Sequence, residues 1–148
     1  TILIIFCLSI TACATDPNHL TDAQTSIFHS LNATHTDRSI VVKADAYLNI
    51  TDADFLIIDV SEEDTVSLTY TLTRNKGDIT LSYRTPEDST VLLADTEDKT
   101  YGEETITLQP GTTTFFLAGT DASFQVSFSV KDIDISKVKS INDTAPEL

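Results

Sequence analysis

The chain has 148 residues, a length that favours a single domain and allows a core to form without disulfides or metals. It carries 9 Lys and Arg against 23 Asp and Glu, for a formal net charge of -14. Because so acidic a surface repels phosphates, the composition argues against nucleic acid and anionic lipid headgroups as partners of the folded part.

An apolar run near the start of the chain has the character of a secretory signal peptide. Residues 2–10 (ILIIFCLSI) match the length of a signal-peptide apolar region and fall well short of the roughly 20 residues that a membrane span needs. Small and then polar residues follow at once, which favours a signal peptide over a buried strand or helix. We therefore predict a signal peptide over residues 1–12. Since no Lys or Arg precedes the run, we expect its basic n-region to be missing from the sequence given.

Residues 10–13 (Ile-Thr-Ala-Cys) place an aliphatic residue, a small residue and alanine before a cysteine, and this pattern resembles a bacterial lipobox. The resemblance implies cleavage before Cys13, lipid attachment at that residue and loss of Cys7 with the signal peptide. Two or more acyl chains hold a soluble domain durably on a membrane, since each buried CH₂ contributes about 0.8 kcal/mol. The resemblance thus implies an extracytoplasmic protein held at the membrane, and Ala14 implies the outer membrane if the cell is Gram-negative.

The segment over residues 13–38 is predicted to be the lipid anchor and a flexible tether. It is rich in Thr, Asp and Asn and has no sustained apolar periodicity, although residues 21–32 could form a short helix. The segment also contains the three histidines of the chain, whose spacing matches no compact metal-binding pattern: His19, His29 and His35.

The segment over residues 39–135 is predicted to be the folded domain, because apolar and polar residues alternate along it with a period of two. Turn residues separate the alternating stretches at a spacing of about ten, and we expect hairpins at residues 74–77 and 119–121. This pattern predicts an all-β fold, an antiparallel two-sheet β-sandwich of about eight strands that is jelly-roll-like or, alternatively, immunoglobulin-like. Residues 136–148 are predicted to form a C-terminal tail. The predicted strands cover residues 39–50, 55–60, 65–73, 78–84, 90–94, 105–109, 113–118 and 122–130.

A recognisable order of strands and turns is marked by Lys76 and Gly77, Pro86, residues 106–111 (ITLQPG), Phe115, Gly119 and residues 124–128 (FQVSF). This order is similar to that of the pre-peptidase C-terminal and Golgi-dynamics types of β-sandwich. The resemblance implies an accessory or binding module rather than a catalyst, and it assigns no functional residue.

The sequence contains none of the short motifs of nucleophilic, phosphate-binding or zinc-dependent catalysis, and we predict that the protein is not an enzyme. A sandwich that binds sugars usually presents exposed aromatic rings, and this chain has no Trp. Three aromatic residues fall in outward or loop positions and form the predicted ligand face: Tyr47, Tyr101 and Phe116.

No cofactor or metal is predicted, and calcium is only weakly supported. Two acidic loops offer hard oxygen ligands, at residues 62–64 (Glu-Glu-Asp) and at Asp95, Glu97 and Asp98. Neither loop has the spacing of a calcium-binding loop, so solvated turns are the better interpretation.

These observations predict a membrane-anchored extracytoplasmic lipoprotein that displays a non-catalytic β-sandwich for interaction with a protein or another component of the cell envelope. A carbohydrate-binding module centred on Tyr47 or Tyr101 is one alternative hypothesis. The other is an accessory module of an enzyme encoded elsewhere. The predicted partners are the membrane, through the lipid on Cys13, and an unidentified protein or glycan, with no nucleic acid.

Overall fold

The computed structural model describes residues 25–95 and 99–141, which form an antiparallel sheet of seven strands. The predicted signal peptide and Cys13 lie outside the described residues. The strands are β1 (Thr25–Thr36), β2 (Ser39–Val60), β3 (Asp64–Arg84), β4 (Thr90–Asp95), β5 (Lys99–Leu108), β6 (Gly111–Lys131) and β7 (Val138–Ile141), with a short 3-10 helix at Ile135–Lys137 before β7.

Three long strands, β2, β3 and β6, run through the whole sheet and bend near their middles. The pairing of β2 with β6 shifts between Leu48 and Ala53, and that of β3 with β6 shifts between Arg74 and Asp78. The bends divide the sheet into two five-stranded layers. Layer A has the order β1-β2-β6-β3-β5 and uses the first parts of β2 and β3 and the last part of β6. Layer B has the order β7-β2-β6-β3-β4 and uses the remaining parts of those strands.

The two layers pack face to face and enclose the core. Phe128 of layer A contacts Phe55 and Phe115 of layer B, with ring centroids 5.3 and 4.9 Å apart. Such ring pairs are typical of packed aromatic cores. The fold is therefore an all-β, antiparallel, jelly-roll-like β-sandwich, and the prediction of fold class is confirmed.

The bends depend on residues that bring neighbouring backbones unusually close. Gly77 has a φ of 70°, and a Cβ placed there would overlap the backbone carbonyl group of Asp121, which itself has a φ of 48°. Glycine tolerates both the positive φ and the close approach, whereas most other residues do not. The two predicted hairpins at residues 74–77 and 119–121 are therefore wrong. At these two points β3 and β6 each bulge and then continue as one strand. They do so because β2, β3 and β6 bend side by side, at the same distance along the sheet.

Strands at both ends of the described chain extend the sheet beyond residues 39–135. The short helix considered for residues 21–32 is wrong over its described part, because β1 pairs with β2 and buries Phe28. Pairing satisfies the backbone groups that an exposed edge of β2 would leave open. Part of the predicted tether and part of the predicted tail, in β7, thus belong to the sandwich. None of the helical structure in residues 25–95 and 99–141 has the length and apolarity of a membrane span.

Candidate functional site

The three residues of the predicted ligand face lie on two different faces of the sandwich. Tyr47 and Tyr101 both point outward from layer A. In the β2-β6 and β3-β5 ladders, each is paired with a residue whose side chain also points away from the core. Phe116 points outward from layer B. On the outer face of layer A, Tyr47 and Tyr101 are separated by β6 and β3, or about 14 Å across the sheet and a further 13 Å along it. The structure therefore does not assemble the three rings into one platform.

Phe116 is covered by a side chain of its own layer. It is only 7% exposed, because the Arg84 guanidinium lies over its ring at 4.9 Å from the centroid. Two carboxylates hold that guanidinium in place, Asp52 at 3.3 Å and Asp88 at 3.9 Å. A cation over an aromatic face is stabilised by the ring quadrupole. The outward phase of Phe116 is as expected, but its ring face is occupied.

Tyr101 is well exposed but stands among polar residues. Its side chain is 63% accessible, and its hydroxyl donates to Glu103 Oε2 of the same strand at 3.3 Å. The neighbouring outward positions on β3 and β6 are mostly hydroxyl side chains, namely Ser67, Thr69, Thr71, Thr73, Ser123, Ser127 and Ser129. The outer face of layer A is thus a polar surface with a single exposed ring at its β5 edge.

Tyr47 belongs to a hydrogen-bonded network that joins the three bends. Its hydroxyl donates to Asp121 Oδ1 at 2.9 Å, and Lys76 Nζ lies 2.6 Å from Asp121 Oδ2. The backbone N–H of Asp121 donates to Asn49 Oδ1 at 3.4 Å. The network therefore ties β2, β3 and β6 together at the level where each changes direction.

The same network fixes the charge states of its members. The hydrogen bond from Lys76, and after it that from Tyr47, lowers the pKa of Asp121 below its ordinary value. The hydrogen bond to Asp121 raises the pKa of Lys76 and is also the main cause of the raised pKa of Tyr47. Near neutral pH the network consequently contains a carboxylate, an ammonium group and a neutral phenol.

A groove of about 540 Å³ lies beside this network, along the bends. Its lining combines hydroxyl, amide and carboxylate groups with small apolar side chains. The lining residues are Asn49, Ile50, Thr51, Asp78, Thr80, Ala118, Gly119 and Thr120. The groove touches the network directly, because Asn49 belongs to both and Thr120 precedes Asp121. Tyr47 does not itself line the groove, but it is connected to the lining through Asp121 and Asn49.

Two ion pairs lie at the bends beside the groove. Asp78, in the lining, lies 3.7 Å from Arg74. Asp121 pairs with Lys76, as described above. These two carboxylates therefore each have a cationic partner, although the molecule as a whole is strongly negative.

The acidic loops considered for calcium do not form a metal site in the part that the structure describes. Asp64 is paired with Lys137 Nζ at 2.8 Å, which satisfies the carboxylate with a cation of the same chain. Glu97 and Asp98 lie outside the described residues. Over residues 25–95 and 99–141, no group of three His, Cys, Asp or Glu side chains is arranged to hold a metal ion.

Sequence reasoning missed the groove itself. Its lining comes from three strands that are distant in the chain and meet only at the bends. A usable signal was present, since alternation is interrupted in each long strand, at residues 49–53, 74–78 and 119–122. The second and third of these interruptions suit hairpin turns equally well, although in the folded sheet all three coincide as bends.

Searches for similar proteins found no matching family model and no matching curated protein. Among solved structures, the chain is similar to a carbohydrate-binding module from Cellvibrio mixtus lichenase 5A in complex with cellotriose. The sequences are 12% identical, and the match covers 72% of this chain and 90% of that one with a TM-score of 0.34.

Two cupin domains are similar to a comparable degree. One, from Bordetella pertussis, is 14% identical over 79% of this chain and 94% of that one, with a TM-score of 0.30. The other, the Cnp3 cupin domain of Schizosaccharomyces pombe, is 8% identical over 75% and 63%, with a TM-score of 0.34. Similarities of this size carry no information about activity or ligand.

Proposed function

We propose that the protein is a lipid-anchored, extracytoplasmic binding protein whose β-sandwich is non-catalytic and recognises a component of the cell envelope. The lipobox-like residues 10–13 support the anchor. Because Thr25 already lies in β1, at most residues 14–24 separate Cys13 from the sheet. Those residues span at most roughly 40 Å when fully extended. The sandwich would therefore work close to the membrane surface.

The groove at the bends is the observation that carries the binding role. Its volume of about 540 Å³ lies within the range of ligand sites in proteins, and its lining includes hydroxyl, amide and carboxylate groups. The network of Tyr47, Asp121 and Lys76 reaches this lining at Asn49, whose amide oxygen accepts the N–H of Asp121. A side chain that is already fixed loses less entropy on binding.

The charge states at the site support binding rather than turnover. A general acid or base works best when its pKa is near the operating pH. The pKa shifts of Asp121 and Lys76 move both groups away from neutrality and stabilise their charged forms.

A groove-filling variant tests the binding role. Ala118 is half-buried and pairs with Thr80, so the larger side chain of Ala118→Tyr would occupy the groove. Ser127→Tyr, at a half-buried outward position of layer A, is the matched control. We expect the fluorescently labelled mature protein to bind isolated cell envelopes, Ala118→Tyr to lose that binding and Ser127→Tyr to retain it. Equal binding by both variants, or no binding by the wild type, would contradict the proposal.

The anchor is tested separately. Mass spectrometry of the protein from a bacterial host should show an acylated Cys13 as the first residue, and Cys13→Ser should lack the lipid and leave the membrane fraction. A wild type that keeps its first residues, or a Cys13→Ser variant that stays on the membrane, would refute the anchor. Neither result would change the outcome of the groove experiment.

The β4 edge favours a second candidate, interaction with a protein partner. Val91 and Leu92 are 37% and 58% exposed on this short edge strand. Exposed apolar residues on an unpaired strand edge can receive a further strand. Under this alternative, Leu92→Lys would abolish envelope binding while Ala118→Tyr would leave it intact.

A further inference from the structure

We propose that the groove at the bends binds a neutral oligosaccharide. This inference rests on the proposed function and identifies the chemical class of its ligand. It depends on three features: the ion pairs beside the groove, the hydrogen-bonding groups in its lining and the ring of Tyr47 in the adjoining network.

The ion pairs beside the groove argue for a ligand without charge. The carboxylates of Asp78 and Asp121 already have cationic partners at 3.7 and 2.6 Å. A cationic ligand would have to compete with Arg74 or Lys76 for these carboxylates. An anionic ligand would gain little from the paired cations and would be repelled by a molecule of net charge -14. A neutral ligand needs to break neither ion pair.

The lining presents both donors and acceptors, as a ligand with many hydroxyl groups requires. Three threonine hydroxyls, of Thr51, Thr80 and Thr120, each donate and accept. Asn49 Oδ1 accepts the N–H of Asp121, so the NH₂ end of this amide is the end that remains to donate. Peptide ligands are instead anchored by apolar side chains in deep pockets. The apolar side chains of this lining are those of Ile50 and Ala118.

Tyr47 supplies an aromatic ring in the network that adjoins these groups through Asp121 and Asn49. Its hydroxyl is fixed by Asp121, and its side chain is half-buried, so the ring has few orientations available. A fixed ring can pack against the apolar face of a pyranose at a low entropic cost. Tyr101 and Phe116 take no part, because the first lies at the far edge of layer A and the second lies beneath Arg84.

Calorimetric titration of the full mature chain provides the test. The probes are glucose hexasaccharides with β-1,3, β-1,4 and α-1,4 linkages, together with chitosan and galacturonate hexamers as cationic and anionic probes. We expect at least one neutral hexasaccharide to bind, with little dependence on salt. The charged hexamers should bind more weakly than that probe.

Two valine substitutions locate the binding. Thr80→Val removes one hydroxyl of the lining while keeping the shape of the side chain, and we expect it to weaken binding about 3- to 10-fold. Thr71→Val makes the same change at an outward position of layer A on the same strand and should leave affinity unchanged. Tyr47→Phe keeps the ring and removes only the bond to Asp121, so it should weaken binding less than Tyr47→Ala.

Three results would overturn the inference: no neutral hexasaccharide binds, a charged hexamer binds more tightly, or Thr71→Val weakens binding as much as Thr80→Val. The proposed function has a different point of failure. If Ala118→Tyr abolishes envelope binding while no neutral sugar binds, the groove is a binding site for another ligand and only this inference fails. If Ala118→Tyr also leaves envelope binding unchanged, both fail.

Discussion

At the scale of single residues, Tyr70 shows how one side chain connects the two layers. It lies on β3 in layer A and is 3% exposed. Its hydroxyl oxygen is 2.7 Å from the carbonyl oxygen of Leu93 on β4 and 2.8 Å from Glu104 Oε1 on β5, so its proton is shared between two acceptors. The ring passes directly beneath Gly102, where a Cβ would overlap it. Tyr70 thus joins layer A to the edge strand of layer B.

Tyr70→Phe should reveal this connection through the pH dependence of stability. Burial, followed by the hydrogen bond to Glu104, raises the pKa of Tyr70 to about 12. An unfolded tyrosine has a pKa near 10. Folding therefore favours the neutral form of Tyr70. The contribution of this group to the free energy of unfolding is fully present below about pH 10 and is lost as the pH rises toward 12.

We expect Tyr70→Phe to lower the free energy of unfolding by roughly 1–3 kcal/mol at pH 8, since two acceptors lose their donor. Urea denaturation at pH 8, 10 and 11.5 should show the gap between wild type and Tyr70→Phe shrinking as the pH rises. A gap that stays constant up to pH 11.5 would mean that the hydroxyl is not held as described. Tyr101→Phe, at an exposed position, is the control and should leave the stability nearly unchanged at pH 8.

At the scale of elements, alternation predicted most of the strands correctly and failed at their bends. In β2, β3 and β6, the alternating apolar residues are the ones that are buried. This could be predicted because a period of two in the sequence shows which side chains share a face, whichever strand is the partner. The bends were misinterpreted because Gly77, with its positive φ, suits a hairpin turn and a bulge equally well. The choice between them depends on whether the neighbouring strands bend at the same place, which no local pattern records.

The candidate site was less predictable than the fold for the same reason. Tyr47 was singled out from its outward phase, and it is connected to the groove through Asp121 and Asn49. Asp121 and Thr80 were not singled out, because their partners are on other strands. The cover of Phe116 by Arg84 likewise depends on a contact between strands. Phase indicates the side of a sheet to which a residue points, but it does not indicate what lies above it.

The edge strand β4 presents its apolar residues in two different ways. Leu92 is 58% exposed and faces outward, whereas its neighbour Leu93 packs against the core. Exposed apolar side chains on an edge strand promote association with other chains, and lysine at such positions opposes it. The strand therefore offers an adjacent pair of substitutions with opposite expected effects.

We expect Leu92→Lys to change the free energy of unfolding by less than about 0.5 kcal/mol and to reduce self-association at high protein concentration. Leu93→Lys should destabilise the fold by about 2 kcal/mol or more, because it brings a charge toward the core. Chemical denaturation and light scattering would measure the two effects. Equal destabilisation by both substitutions would contradict the orientation of β4.

At the scale of the whole molecule, the two layers are parts of one sheet. In many sandwiches the layers are formed by different strands, but here β2, β3 and β6 each contribute to both. A substitution that destabilises one layer must therefore also destabilise the other, because three continuous strands and a shared core connect them. The groove lies at the boundary, so its geometry depends on the integrity of both layers. This continuity predicts a single cooperative unfolding unit.

Leu81→Ala tests that cooperativity. Leu81 is fully buried in layer B, and truncating a buried leucine typically costs about 2–5 kcal/mol. We expect the most protected amides of both layers to lose the same amount of protection against hydrogen exchange, including those of β2 between Ile40 and Leu48 in layer A. Leu92→Ala, at an exposed position of layer B, should leave protection unchanged. If the loss caused by Leu81→Ala were confined to layer B, the layers would unfold independently, and the bends would act as hinges between separate units rather than as parts of one continuous structure.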